Sequence, residues 1–288
     1  MSPTDLSNHA AAWCFVGGGN MARAIILGAV DAGACLPDRI SVVELEEAKR
    51  AFFEARGIRA FASAEEGLGR LTTTESRPGD GHILLAIKPQ SLAGMAAELR
   101  PLLDREGNSR PVVSILAGTP TSKLESALGD RARILRAMPN LPARIRKGTT
   151  AIAGGRSWQG PWTQARSLFG ALGQVVEIQE SLFDAFTAIA GSGPAYVFYL
   201  AEALTRAAVA QGFDAAQADV IVRSVLAGSS DLLARESDRQ AVELRASVTS
   251  KGGTTAAAVS VLDQAGLQEV IVNAIAAATR RGRELAEM

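Results

Sequence analysis

The chain has 288 residues, 47% of them apolar, with 30 Lys and Arg balanced by 30 Asp and Glu. That length buries a sizeable core in one large domain or two, and the even charge removes any electrostatic argument for nucleic acid or an anionic membrane as partner. The two cysteines, Cys14 and Cys35, make no disulfide framework and point to a reducing cytoplasm; Met1 to Ala10 is polar, and no stretch reaches the roughly 20 unbroken apolar residues of a membrane span.

Residues 12–16 read as a short apolar strand that stops at Gly17-Gly18-Gly19-Asn20-Met21-Ala22 and continues as the helical pattern Arg23-Ala24-Ile25-Ile26-Leu27. Strand, glycine turn and helix in that order fit the dinucleotide fingerprint G-x-G-x-x-G/A, with Gly17, Gly19 and Ala22 at the small positions and Asn20 and Met21 between them. The pattern supplies a tight turn, a close backbone approach to a pyrophosphate and close helix-on-strand packing, and the helix N-terminus offers free N–H groups to the phosphates. Glu44, about 20 residues beyond Ala22 at the end of the strand 39–44, is placed to accept hydrogen bonds from ribose hydroxyls and to repel a 2′-phosphate, which favours NADH. Lys49 and Arg50, a turn or so into the next helix, support the opposite reading, in which they hold that phosphate.

Further strands fall at 58–61, 82–87, 111–116 and 132–137, with helical spacing between them, notably from Glu46 to Arg56 and from Leu92 to Leu103. Such alternation predicts a parallel sheet covered on both faces, with ligands bound beyond the carboxyl ends of its strands. Those ends carry Ala86-Ile87-Lys88-Pro89-Gln90, Ala117-Gly118-Thr119-Pro120 and Met138-Pro139-Asn140-Leu141-Pro142. Each alone reads as an ordinary turn. Three at one sheet edge are better explained by a shared ligand, with Ala86, Ile87, Lys88, Pro89, Ala117, Gly118 and Asn140 as its contacts. Thr149 to Ala153 and Gln174 to Ile178 then close a first domain, 1–180.

After about residue 180 the pattern is helical: 181–190, 194–211, 215–235, 239–247, 254–264 and 267–286. Pro194 suits a first helical position and Gly212 a C-terminal stop. The helix 194–211 has few polar positions on any face, so it must be buried. A domain of roughly 110 residues, 181–288, hardly buries such a helix alone, which predicts a subunit interface. The fold class expected is α/β, an N-terminal Rossmann domain followed by an all-α dimerisation domain.

Within that helical half stands Val248-Thr249-Ser250-Lys251-Gly252-Gly253-Thr254-Thr255. Two adjacent glycines between hydroxyl residues can wrap backbone around an anion, and converging N–H groups with short hydroxyls suit a small carboxylate. Val248, Ser250, Gly252, Gly253, Thr254 and Thr255 are the candidate substrate contacts. The alternative is a helix N-cap whose hydroxyls only satisfy free amides. Lys251 either adds a point charge to the site or stays solvated at its edge. The histidines, His9 in a polar tail and His82 opening a strand, read as exposed or structural rather than catalytic.

These residues resemble the pyrroline-5-carboxylate reductases from Phe15 almost to the end: GGGNMA at the turn, LAIKPQ at 85–90, SILAG at 114–118, MPNLPA at 138–143, DAFTAIAGSGPAYVFYLAEAL at 184–204 and SVTSKGGTT at 247–255. The resemblance implies a Rossmann domain, a helical domain interleaved with its twin in a homodimer or a larger assembly of dimers, and reduction of 1-pyrroline-5-carboxylate to proline by NADH or NADPH. It also implies that the loop Ser250–Thr255 holds the substrate carboxylate, that Thr255 sits by the ring nitrogen as the catalytic hydroxyl, and that 86–90 and 117–118 touch the cofactor. Two residues depart from the family pattern, Lys251 for proline and Leu141 for threonine.

The chemistry agrees with an absence. The related beta-hydroxyacid dehydrogenases carry a lysine four residues after a Gly-x-Gly and an asparagine three beyond it; counting from Gly191-Ser192-Gly193 gives Val197 and Leu200. Reducing a ketone normally needs a group that moves a proton, whereas a cyclic imine can arrive protonated and be neutralised by hydride, so that positioning and a hydroxyl partner suffice. Two other readings stay open: a different imine or 2-hydroxyacid reductase on the same scaffold, and a non-catalytic dinucleotide-binding regulator, against which the intact 250–255 loop counts.

Overall fold

The computed structural model describes residues 11–74, 81–106, 109–158, 160 and 162–287; His9 and the polar N-terminal stretch lie outside the described residues. Eight strands form one sheet: β1 (Trp13–Val16), β2 (Ile40–Val43), β3 (Arg59–Phe61), β4 (His82–Leu85), β5 (Arg110–Ser114), β6 (Ala132–Met138), β7 (Gly148–Gly154) and β8 (Gly173–Glu177). Every residue of β1, β2 and β4 is buried, and all but Ser41 and His82 are apolar, as expected where a sheet is covered on both sides. Alternate residues go to opposite faces. Trp13 and Phe15 join a core with Ile25 and Ile26 of α1 (Asn20–Asp31), Phe53 of α2 (Glu47–Glu54) and Phe169 of α6 (Thr163–Gly170). Cys14 and Val16 join a second core with Leu71 of α3 (Ala64–Thr74), Leu99 of α4 (Leu92–Glu106) and Leu124 of α5 (Thr121–Leu128).

The strand order is β3-β2-β1-β4-β5-β6-β7-β8. The order reverses between β1 and β4, and that switch point opens the crevice in which doubly wound sheets bind ligands. All pairs are parallel except β6 with β7, which is antiparallel. The expectation of a parallel sheet therefore needs correction at this end. The 139–147 connection is too short for the crossover of a dozen or more residues that a parallel return requires, and it turns back through Arg146, the one non-glycine residue with positive φ (56°) among the described residues. β8 then returns parallel to β7 through α6.

The helices of the second half lie close to their expected positions, except at 181–190. There α7 (Phe183–Phe186) runs into a π-turn, Thr187–Gly191, in which the Thr187 hydroxyl donates to the Phe183 carbonyl at 2.8 Å. The chain divides into two compact units, one running to Gly191 and regaining the chain from Thr279, the other Ser192–Ala278. The compact boundary thus falls later than the last strand, because residues 180–191 pack with the sheet.

The second unit contains α8 (Gly193–Ala210), α9 (Ala215–Arg235), α10 (Ala241–Ser247), α11 (Thr254–Gln264) and the first part of α12 (Leu267–Glu287). Its helices have clear start and stop chemistry. Pro194 lies in the first turn of α8, Gly212 follows that helix at φ +101°, and α9 opens with a reciprocal capping box between Asp214 and Gln217. Within one chain only Ala218 and Val222 of this unit are buried, whereas Phe198 and Tyr199 of α8 are 55% and 69% exposed. No described helix is long and apolar enough to cross a membrane.

Candidate active site

At the switch point the turns after β1, β2 and β4 are pinned to one another. The Gly17 N–H donates to the Val43 carbonyl at 2.8 Å, and the Ala86 N–H donates to the Val16 carbonyl at 2.8 Å. Gly17 adopts φ +102°, and a Cβ there would sit 2.6 Å from the Ala86 oxygen, so only glycine closes this turn. Gly19 differs, since a Cβ on it would meet nothing within 4 Å and it opens on free space as the N-cap of α1. That helix starts with no side-chain cap and no acidic residue in its first turn, leaving the amides around Asn20, Met21 and Ala22 to be satisfied from outside. Ala22 is 1% exposed, as close packing of helix on strand requires. These features fit a dinucleotide diphosphate.

Glu44 follows β2 directly. Its Oε2 accepts from the Gly18 N–H at 2.9 Å and its Oε1 from the Glu46 N–H at 3.1 Å. The remaining candidates in this unit also reach the carboxyl edge of the sheet. Ala86 and Ile87 are half-buried, with Ala86 against Gly17, and Lys88 and Pro89 are exposed at the start of a 3-10 turn. Ala117 is exposed, and Gly118, at φ +63°, packs on the last turns of α12, with its Cβ position 3.6 Å from Leu285. Just beyond, Glu180 accepts from the Thr121 N–H and hydroxyl and pairs with Arg136 at 3.3 Å, which fixes the start of α5. Burial presses the Arg136 guanidinium below its ordinary value, against the opposing pull of Glu180. Asn140 is 9% exposed, and its amide is engaged on backbone, donating to the Ala190 carbonyl at 3.0 Å and accepting from the Thr149 N–H at 2.9 Å. Its side chain therefore ties β6, β7 and the π-turn together.

The second cluster is one continuous loop in the helical unit. Gly252 takes φ +74°, the Gly253 N–H donates to the Ser250 carbonyl at 3.0 Å, and α11 begins with Gly253 as N-cap and no side-chain cap. The hydroxyls of Ser250, Thr254 and Thr255 make no hydrogen bond among the described residues, whereas Thr249 donates to the Arg245 carbonyl at 2.7 Å. The capping alternative thus loses its basis, since the hydroxyls that would cap the helix are unused. Val248 and Lys251 are exposed.

Among the described residues, the remaining candidates for proton transfer or metal binding are placed as follows. His82 is 5% exposed and stacks on Trp13 at 4.7 Å between ring centroids. Val197 and Leu200, at the lysine and asparagine positions of the dehydrogenases, are both 48% exposed. Among the described residues no group of His, Cys, Asp and Glu could hold a metal ion. Sequence reasoning missed Gly18, whose N–H holds Glu44, because it stands at a variable position of the fingerprint. It also missed Arg50 as a backbone clamp: the guanidinium donates to the carbonyls of Glu44 and Leu45 at 2.8 and 2.7 Å. A contact between residues six apart across a strand-to-helix turn has no periodic signature.

Comparison with known proteins finds a match for each half of the chain. A family model described as pyrroline-5-carboxylate reductase dimerisation matches residues 180–285, and one described as NADP oxidoreductase coenzyme F420-dependent matches residues 13–118. Pyrroline-5-carboxylate reductase from Synechocystis sp. is 36% identical over 94% of this chain and 96% of its own, and that from Thermus thermophilus is 34% identical over 95% and 98%. Among solved structures, a pyrroline-5-carboxylate reductase from Coxiella burnetii superposes with a TM-score of 0.87 at 32% identity, covering 97% of this chain and all of that one. The chain, with its Rossmann sheet and its helical second half, belongs to the pyrroline-5-carboxylate reductase family.

Proposed function

We propose that this chain reduces 1-pyrroline-5-carboxylate to proline with NADH or NADPH, in the cytoplasm and as a homodimer or an assembly of dimers. The observation that carries the reading is the pairing in one chain of two uncapped, glycine-entered helix starts, α1 at the sheet switch point and α11 with three free hydroxyls. The relatives named above add the reaction. The first start would hold the dinucleotide through Gly17, Gly19 and the amides of Asn20, Met21 and Ala22, with Glu44 on the ribose and the 86–89, 117–118 and Asn140 segments along its length. When bound, the reduced nicotinamide supplies the hydride. The second start would hold the substrate carboxylate through Ser250, Gly252, Gly253 and Thr254, with Val248 at its edge, and Thr255 would bond the ring nitrogen as it passes from iminium to amine.

No proton relay is needed for a protonated imine, which accords with a buried His82 and with Val197 and Leu200 in place of lysine and asparagine. The family model for dimerisation and the exposed apolar face of α8 support the homodimer. Cys14 and Cys35 are both free and buried, and burial pushes their thiols up to about 11, so neither offers a thiolate nucleophile. The test is a nicotinamide absorbance assay with 1-pyrroline-5-carboxylate against open-chain keto and hydroxy acids. Turnover confined to the cyclic imine is expected. Faster turnover of an open-chain acid would assign a different reductase, and no turnover of any would leave a dinucleotide-binding regulator.

A further inference from the structure

We propose that Glu44 makes this chain prefer the dinucleotide with a free 2′-hydroxyl, NAD(H), over its 2′-phosphorylated counterpart, an inference that rests on the dinucleotide reading above. The carboxylate is held from two sides by backbone, with Gly18 N–H on Oε2 and Glu46 N–H on Oε1. Its own N–H donates to the Phe61 carbonyl at 2.9 Å, so the residue is anchored to β3 as well. Each carboxylate oxygen keeps a further acceptor site, and two vicinal ribose hydroxyls are the donors that match. A 2′-phosphate brings nearly two negative charges and no donor to the same half-buried place.

The neighbouring cations decide whether that repulsion is relieved, and Lys49, Arg50 and Arg56 each already hold an oxygen of the chain. Lys49 pairs with Glu46, and that pairing holds its ammonium above the ordinary value. Arg50 is spent on the carbonyls of Glu44 and Leu45. Arg56 donates to the Phe52 carbonyl at 2.7 Å and lies over the Phe52 ring at 3.8 Å, and Arg23 lies over the same ring at 4.2 Å, held between α1 and α2. Turning Arg50 towards a phosphate would strain the two Nη1 hydrogen bonds that shape the turn, whereas a ribose diol asks nothing of these groups.

The experiment is calorimetric titration of the full-length protein with NAD+ and with NADP+ separately, without imine, at low and at raised ionic strength. NAD+ should bind at least about tenfold more tightly, and raised salt should narrow the ratio by screening the repulsion. Glu44→Gln keeps an oxygen for the Gly18 N–H and removes the charge, so it should tighten NADP+ by about fivefold or more. Equal or tighter wild-type binding of NADP+, or an unchanged ratio in Glu44→Gln, overturns the proposal. Because neither titration contains the imine, failure to reduce it would leave this result readable. Binding of neither dinucleotide would sink the cofactor reading and this inference with it.

Discussion

The two compact units treat their apolar residues in opposite ways. In the sheet-bearing unit Cys14, Phe15, Val16, Ile83, Leu84 and Leu85 are all 0% exposed. In the helical unit α8 has no buried residue at all, and its Tyr196, Val197, Phe198, Tyr199 and Leu200 are between 39% and 69% exposed. A sheet with a helix between every pair of successive strands but β6 and β7 covers both its faces from within one chain. A helix that is apolar all round needs neighbours on every side, and one short helical unit does not supply them. The first region thus closes its own core, and the second is written for a partner surface, which the proposed dimer provides.

Four substitutions would break or sharpen that contrast. The largest effect is expected from Phe15→Ala, which deletes a ring with no exposed surface; urea unfolding should show a loss of about 3–5 kcal/mol with the assembly state unchanged. A much smaller loss would mean that the sheet core repacks. Next comes Tyr199→Asp on the face of α8 that is most exposed in the single chain. An ordinary surface site would tolerate it within about 0.5 kcal/mol, but at an interface it should weaken dimerisation at least a hundredfold, about 2.7 kcal/mol, as read by light scattering. An active wild-type or variant monomer at assay concentration would remove the contrast altogether.

Thr255→Val keeps shape at the start of α11 and removes the free hydroxyl. Losing a bond made mainly in the transition state should lower kcat by about tenfold to a hundredfold, roughly 1.4 to 2.7 kcal/mol, with dinucleotide binding little changed. Wild-type kcat in a folded valine variant would leave positioning as the whole of the catalysis. The smallest effect is expected from Lys251→Ala. The ammonium stands exposed at the loop edge, where a charge contributes under about 1 kcal/mol, so KM for the imine should stay within about threefold. A larger, salt-sensitive rise would make Lys251 a substrate ligand and the helical unit a charged site rather than a hydroxyl one.

Much of the candidate site's local geometry was legible because its signals are local. The glycine turn at 17–22 and the loop at 248–255 each depend on backbone freedom and uncapped amides within a few residues, and both appear in the structure where the residues put them. Asn140 shows the limit. It stands in a turn motif at the right edge of the sheet, yet its amide bonds Ala190 and Thr149, partners 50 and 9 residues away. Nothing in the turn itself distinguishes a ligand contact from a clamp between strands.

By itself the sequence determined the eight strands, the helices that follow them, the switch from α/β to all-α near residue 180 and both glycine-entered helix starts, because hydrophobic period and turn chemistry act over a handful of residues. The tertiary structure alone decided the antiparallel return of β7, the docking of the chain beyond Thr279 beside Gly118, the clasp of Gly18 on Glu44 and the commitment of Lys49 and Arg50 to neighbours other than a phosphate. Those outcomes depend on which groups reach one another once the sheet has closed, and a hydrogen bond 26 residues long leaves no trace in the pattern of the residues that make it.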